Sequence, residues 1–125
     1  MSLSETLIAR ARDIAPMVGK EAYNTDRNRK LSDEVIDACC DAGLMEILVP
    51  KMYGGHELDY ATMAAVVYEF GRYCTSTAWV LSFYIGHNYI HALWPRQFQD
   101  EVFANGPFGL TPGTIAPNFR LKPVD

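Results

Sequence analysis

The feature that most constrains this chain is the stretch "TAWVLSFYIGHNYIHAL", Thr77 to Leu93. Trp79, Val80, Leu81, Phe83, Tyr84, Ile85, Tyr89, Ile90 and Leu93 leave almost no polar face when wound into a helix. A helix apolar all round needs neighbours on every side, which places it in the middle of a helical bundle. Ser82, His87, Asn88 and His91 interrupt the run, so it reads as a buried helix and not as a membrane span. Each of those polar groups, buried and unpaired, costs roughly 1–3 kcal/mol. A whole domain is stable by only about 5–15 kcal/mol. They are therefore either paired across helices or open to a wet pocket.

The rest of the chain supplies the neighbours. Leu7, Ile8, Ala11, Ile14, Ala15 and Val18 recur at three- and four-residue spacing, which predicts a helix from Ser4 to about Asn28. Met1-Ser2-Leu3 carries no weight in this reading. Pro16 is expected to kink or divide the helix, because it removes a hydrogen bond and clashes with the preceding turn. Ser32 is a good N-cap for a second helix with Val35, Ile36, Cys39 and Cys40 inward, and Gly43 is its expected stop. Leu44 to Val49 is a strand or an irregular buried segment. Pro50, Gly54 and Gly55 break regular structure. Asp59 caps a third helix with Met63, Val66, Val67 and Phe70 inward, and Ser76 or Thr77 is expected to cap the fourth. Pro95 suits the first turn of a fifth, ending near Asn105-Gly106. The expected architecture is all-α: about five helices in residues 1–108, then an irregular Gly/Pro-rich tail over 109–125.

Composition bounds the partners. The formal net charge is −4 and the pI about 5.3, against the basic surface that nucleic acid requires. The basic start (Arg10, Arg12, Lys20, Arg27, Arg29, Lys30) reads as a solvated helix face. Cys39, Cys40 and Cys74 are odd in number and two are adjacent, which is no disulfide framework. With no recognisable signal peptide or membrane span, the expected setting is reducing and cytoplasmic.

His87 and His91, four apart, share a helix face with Tyr84 and Trp94. Three readings stand: metal binding, satisfied packing histidines, or the lining of a ligand cleft. For metal, the glutamate of a protease motif is missing, since Asn88, Tyr89 and Ile90 lie between, and no spacing points to a third ligand. The "YGGHELD" turn lacks the glycine spacing and lysine of a phosphate loop, and the vicinal cysteines read as core.

The long string "NRKLSDEVIDACCDAGLMEILVPKMYGGHELDYATMAAVVYEFGRYCTSTAWVLSFYIGH" resembles the N-terminal helical domain of the acyl-CoA dehydrogenase superfamily. The pieces "LSDEVIDACCDAGL", "VPKMYGG" and "EFGRYCTSTAWV" match in order. Where many relatives have Leu-Pro before the second helix, this chain has Leu31-Ser32. "CTSTAWV" followed by a helix bearing Gly86-His87 looks most like the flavin-dependent monooxygenase branch. These are oxygenase components that take reduced flavin from a separate reductase and hydroxylate aromatic substrates. The resemblance implies FAD or FMN in the parent enzyme and none held by this chain alone, with cofactor-binding residues unassigned. It places His87 near flavin and substrate as the catalytic candidate. Tyr84, His91 and Trp94 are candidate substrate contacts, and no metal is implied. A dry site and a base for a phenolic proton are what that chemistry needs.

The resemblance further implies that the tail leads toward a β domain absent here, that the chain by itself is inactive, and that the parent is a homo-oligomer. Two alternatives stay open. One is an acyl-CoA dehydrogenase proper, acting on an acyl thioester. The other is a stand-alone, non-catalytic helical interaction module.

Overall fold

The computed structural model describes residues 1–113, 120, 122 and 123. Most of the tail expected to lead out of the helical domain, residues 114–119, 121, 124 and 125, lies outside the described residues. The described residues form five α-helices and no strand: α1 (Leu3–Asn28), α2 (Asp33–Asp41), α3 (Tyr60–Gly71), α4 (Thr75–Ala92) and α5 (Arg96–Val102). A single 3-10 turn, Lys51–Tyr53, lies between α2 and α3. No helix among the described residues is long and apolar enough to cross a membrane.

α1 starts one residue before the sequence suggests, on a capping box. The Glu5 amide donates to Ser2 Oγ at 3.2 Å, and the Ser2 amide donates to Glu5 Oε2 at 2.6 Å. Pro16 does not divide the helix, which runs unbroken through it. The proline is exposed while Leu7, Ala11, Ala15 and Val18 are buried along one continuous face. The carbonyl freed by the missing N–H is therefore on the solvent side, where water can satisfy it, and packing holds the helix on either side. α1 is also tied to α3 through charge. Arg12 donates to buried Glu69 at 2.8 Å, and Arg72 donates to the other carboxylate oxygen at 3.0 Å. Those hydrogen bonds, Arg12's foremost, hold the Glu69 carboxyl below its ordinary range.

α2 begins at Ser32, whose Oγ accepts from the Val35 amide at 3.3 Å. It stops as expected at Gly43, whose φ of 73° lies in the left-handed region. The Gly43 amide reaches Cys40 O and the Leu44 amide reaches Cys39 O, the paired bonds of a Schellman cap. Leu44 to Val49 takes the irregular option. It is turn-like, and Leu44, Met45, Ile47, Leu48 and Val49 are all buried. Its carbonyls are satisfied by the returning chain: His56 N–H to Glu46 O, Glu57 N–H to Val49 O, and Leu58 N–H to Ile47 O. That return needs Gly55, because a Cβ there would fall on the Val49 carbonyl and side chain.

Asp59 caps α3 by accepting from the Thr62 amide at 2.8 Å. Val66 and Phe70 of α3 are fully buried, with Met63 and Val67 packed partly against the core. α4 starts earlier than its sequence suggests, with Cys74 and not Ser76 or Thr77 at the N-cap position. The Tyr73 and Cys74 amides already bond to Phe70 O, so the tight link from α3 fixes the start, and Thr77 is buried inside the helix.

α4 is not enclosed on all sides. Ala78, Leu81, Ile85, Asn88 and His91 point inward, but Trp79 is 66% exposed, Phe83 41% and Leu93 66%. Its apolar circumference is thus a buried face plus an exposed strip. α5 is shorter than expected, ending at Val102, with Phe103 tucked under Tyr53 at a centroid distance of 4.8 Å.

Candidate functional site

The candidate site is a concavity of about 540 Å³ along α4, lined by Trp79, Val80, Phe83, Tyr84, His87, Pro112 and Gly113. Helical spacing puts Val80, Tyr84 and His87 on one side of α4, three and four residues apart. The segment after α5 crosses over and forms the opposite lip. Smaller hollows of about 210 Å³ and 320 Å³ lie beyond Val80, toward the C-terminal end of α1 and Arg29 and Lys30. Neither contains a histidine.

The cleft is aromatic and carries one titratable imidazole. Phe83 stands edge-on between Trp79, at 5.2 Å, and the His87 ring, at 5.4 Å. His87 Nδ1 lies 2.6 Å from the backbone carbonyl of Thr111. A carbonyl only accepts, so Nδ1 carries the proton and donates. In the neutral ring, Nε2 is then left as a lone pair. Gly113 lies against that edge of the ring: a Cβ at 113 would stand 2.8 Å from His87 Cε1 and 3.1 Å from Nε2. Only a residue without a side chain can pass this close to the ring.

The other polar residues of α4 divide sharply. Asn88 is completely buried and fully used. Its amide nitrogen donates to Met45 O at 3.3 Å and to Tyr84 O at 3.0 Å, and its oxygen accepts from the Gly109 amide at 2.9 Å. Ser82 donates back to Trp79 O at 2.7 Å. His91 turns away from the cleft toward α5, between Phe98 at 5.8 Å and Phe103 at 6.4 Å. It is 8% exposed and its Nδ1 has no partner among the described residues. Burial first, and then the nearby His87 charge, push its pKa below the ordinary imidazole value. Trp94 follows it, packing on Phe98 at 4.5 Å and half-exposed.

The structure thus brings together His87 and Tyr84 of the four sequence-derived candidates, and sets His91 and Trp94 apart, packed against Phe98 of α5. Sequence reasoning had no means to find Thr111 and Gly113, which reach His87 only by the fold of an irregular segment. Asn88 was visible as a polar residue on an apolar helix, but not its partners.

Among the described residues no three His, Cys, Asp or Glu side chains are grouped to hold a metal ion. Cys39 is buried and its thiol is pushed up to about 12, chiefly by that burial, which makes it core and not nucleophile. The cleft suits a flat aromatic ring, flavin or substrate. Its walls are aromatic and apolar, and none of its lining residues is a cation that would hold phosphates.

Comparison with known proteins agrees with this geometry. The family model described as acyl-CoA dehydrogenase, N-terminal domain, matches residues 4–101. The chain is 39% identical to a pigment production hydroxylase of Rhodococcus sp. (strain ATCC 21145), covering 100% of this chain and 33% of that protein. It is 28% identical to the oxygenase component of p-hydroxyphenylacetate 3-hydroxylase from Acinetobacter baumannii, over 96% of this chain and 28% of that one. XiaF from Streptomyces sp., solved in complex with FADH2 and glycerol, superposes with a TM-score of 0.78 at 32% identity, covering 84% of this chain and 26% of that one. The chain therefore spans about a third of the length of the curated relatives it matches. From caps, bundle and cleft to the match over residues 4–101, the chain belongs to the acyl-CoA dehydrogenase N-terminal domain family.

Proposed function

We propose that this chain is the helical N-terminal part of the oxygenase component of a two-component flavin-dependent monooxygenase acting on an aromatic, phenol-type substrate, with His87 as its base. The observation that carries the reading is the His87–Thr111 hydrogen bond, which makes Nε2 the lone-pair nitrogen of a histidine lining an aromatic cleft. The relatives support it by their names: a hydroxylase, and an oxygenase component named for a phenolic acid. They favour aromatic hydroxylation over oxidation of an acyl thioester.

In this reading, reduced flavin (FADH2 or FMNH2), delivered by a separate reductase, supplies the electrons that activate dioxygen. This chain's residues do the rest of the local work. Trp79 and Phe83 offer aromatic edges and faces that would hold a flat ring and exclude water. Tyr84 closes the wall beside the substrate ring. The phenolic proton passes to His87 Nε2, raising electron density on the ring carbons to be hydroxylated. The resulting imidazolium keeps its Nδ1–H on the Thr111 carbonyl, so accepting the proton requires no rotation of the ring. A homo-oligomeric parent belongs to the same reading, in which the exposed apolar residues Trp79, Phe83 and Leu93 are a surface for other parts of the enzyme to cover.

The test uses the whole enzyme with its reductase. His87→Ala and His87→Gln are expected to lower product formation by roughly 10²–10⁴-fold, the usual size of a general-base contribution, while reduced flavin is still consumed. Unchanged hydroxylation in both variants would remove His87 from the mechanism.

A further inference from the structure

We infer that Asn88 is a positioning residue for His87, acting through the backbone of Gly109–Thr111. The inference rests on the reading of His87 as a base, but its geometry stands apart from that reading. Asn88 is the residue next to His87 on α4, so the two side chains leave the helix about 100° apart. Asn88 points into the core and His87 into the cleft. Both hold the same crossing segment. Asn88 Oδ1 takes the Gly109 N–H at 2.9 Å, and two residues on, the Thr111 carbonyl takes His87 Nδ1–H at 2.6 Å.

The anchoring is directional. The Asn88 amide nitrogen is committed to Met45 O and Tyr84 O, and this fixes which way its oxygen faces. Aspartate would lack those donors. The carboxamide is wholly buried, so water cannot replace it. Along an extended chain, alternate residues lie about 7 Å apart. Pinning Gly109 therefore sets where the Thr111 carbonyl sits, and that carbonyl selects which His87 nitrogen carries the proton. Without the pin, Nδ1–H loses its acceptor and the ring is free to protonate on Nε2, which would turn a base toward the cleft into a donor.

The test reads the tautomer directly and needs no catalysis. The ¹⁵N-labelled chain is examined by long-range ¹H–¹⁵N correlation at pH 8, with His56 and His91 as internal references. In the wild type, His87 is expected in the Nδ1–H form. Asn88→Ala is expected to lower the ratio of Nδ1–H to Nε2–H on the order of tenfold, the worth of one net hydrogen bond. Because emptying a buried site can unfold the domain, Gly109→Pro decides the matter if it does. That substitution removes the N–H that Asn88 accepts and puts the proline ring in its place, so the anchor is broken at the Gly109 end while the Asn88 bonds to Met45 and Tyr84 keep their donors. Gly109→Ala keeps the N–H, and a Cβ there meets only ordinary contacts of 3.5 Å or more, so it should keep the wild-type tautomer.

A wild-type His87 protonated on Nε2, or a folded Gly109→Pro variant that keeps Nδ1–H, would overturn the inference. If the tautomer shifts as expected but His87→Gln leaves hydroxylation in the whole enzyme intact, the positioning stands and the proposed function falls.

Discussion

Replacing Gly55 by alanine isolates the device that folds the Leu44–Leu58 region. A Cβ at 55 would coincide with the carbonyl and side chain of Val49, so backbone must move. Overpacking of that kind costs about 1–3 kcal/mol. Two hydrogen bonds sit at the point of collision, Glu57 N–H to Val49 O at 2.9 Å and Gly55 N–H to Pro50 O at 3.2 Å. Each is worth about 1 kcal/mol net. The expected loss is therefore about 3 kcal/mol or more. With an unfolding entropy of about 2.1 cal/mol/K per residue over 125 residues, each kcal/mol moves the melting temperature by about 4 °C. Gly55→Ala should melt about 12 °C or more below the wild type. Gly54→Ala is the control. Gly54 has φ 89°, and its Cβ would meet only Pro107 at 3.5 Å, so it carries a torsional cost of about 1–2 kcal/mol and no clash. Thermal melts followed by far-UV circular dichroism decide it. If Gly55→Ala melts within about 3 °C of wild type, or no lower than Gly54→Ala, the close approach does not hold the region.

Two further outcomes follow from the core. Because burial lowers the pKa of His91 in the folded state, the unfolded chain binds its proton more readily. Stability is thus complete above the ordinary imidazole value near 6.5 and falls as pH drops below it, levelling off once pH passes the folded value. Urea denaturation between pH 7.5 and 5 should show that slope in the wild type and a flatter one in His91→Phe; equal slopes would contradict the burial argument. Leu81→Ala, at a fully buried site on α4, should cost about 2–5 kcal/mol. Leu93→Ala, at the exposed end of the same helix, should stay within about 0.5 kcal/mol, and similar losses at both positions would place the strip in the interior.

The elements that local chemistry specifies were legible. Ser32, Gly43 and Asp59 bound their helices as cap residues should, because a cap is a contact within three or four residues. Pro16 leaves α1 undivided because its rule concerns one lost hydrogen bond, whereas the continuity of a long helix depends on a face packed against distant partners. The start of α4 misled for a related reason: Ser76 and Thr77 have cap chemistry, but the Phe70 carbonyl claims the preceding turn first. The exposure of Trp79 and Leu93 was out of reach, since apolarity tells which residues seek burial and not which of them find it in these 125 residues. At the cleft, the shared face of Tyr84 and His87 was legible from helical spacing and the acceptor of His87 was not, because Thr111 approaches from 24 residues away along an irregular path.

The exposed strip also determines what light reports about this molecule. The two tryptophans, Trp79 and Trp94, are 66% and 51% exposed, and neither sits in the core. Their emission starts in a largely aqueous environment and ends in one when the chain unfolds, so intrinsic fluorescence is nearly blind to global denaturation. The same placement makes it a sensitive local probe. Trp79 borders the His87 cleft, so a ring seated there would shift or quench its emission while the far-UV signal stays still.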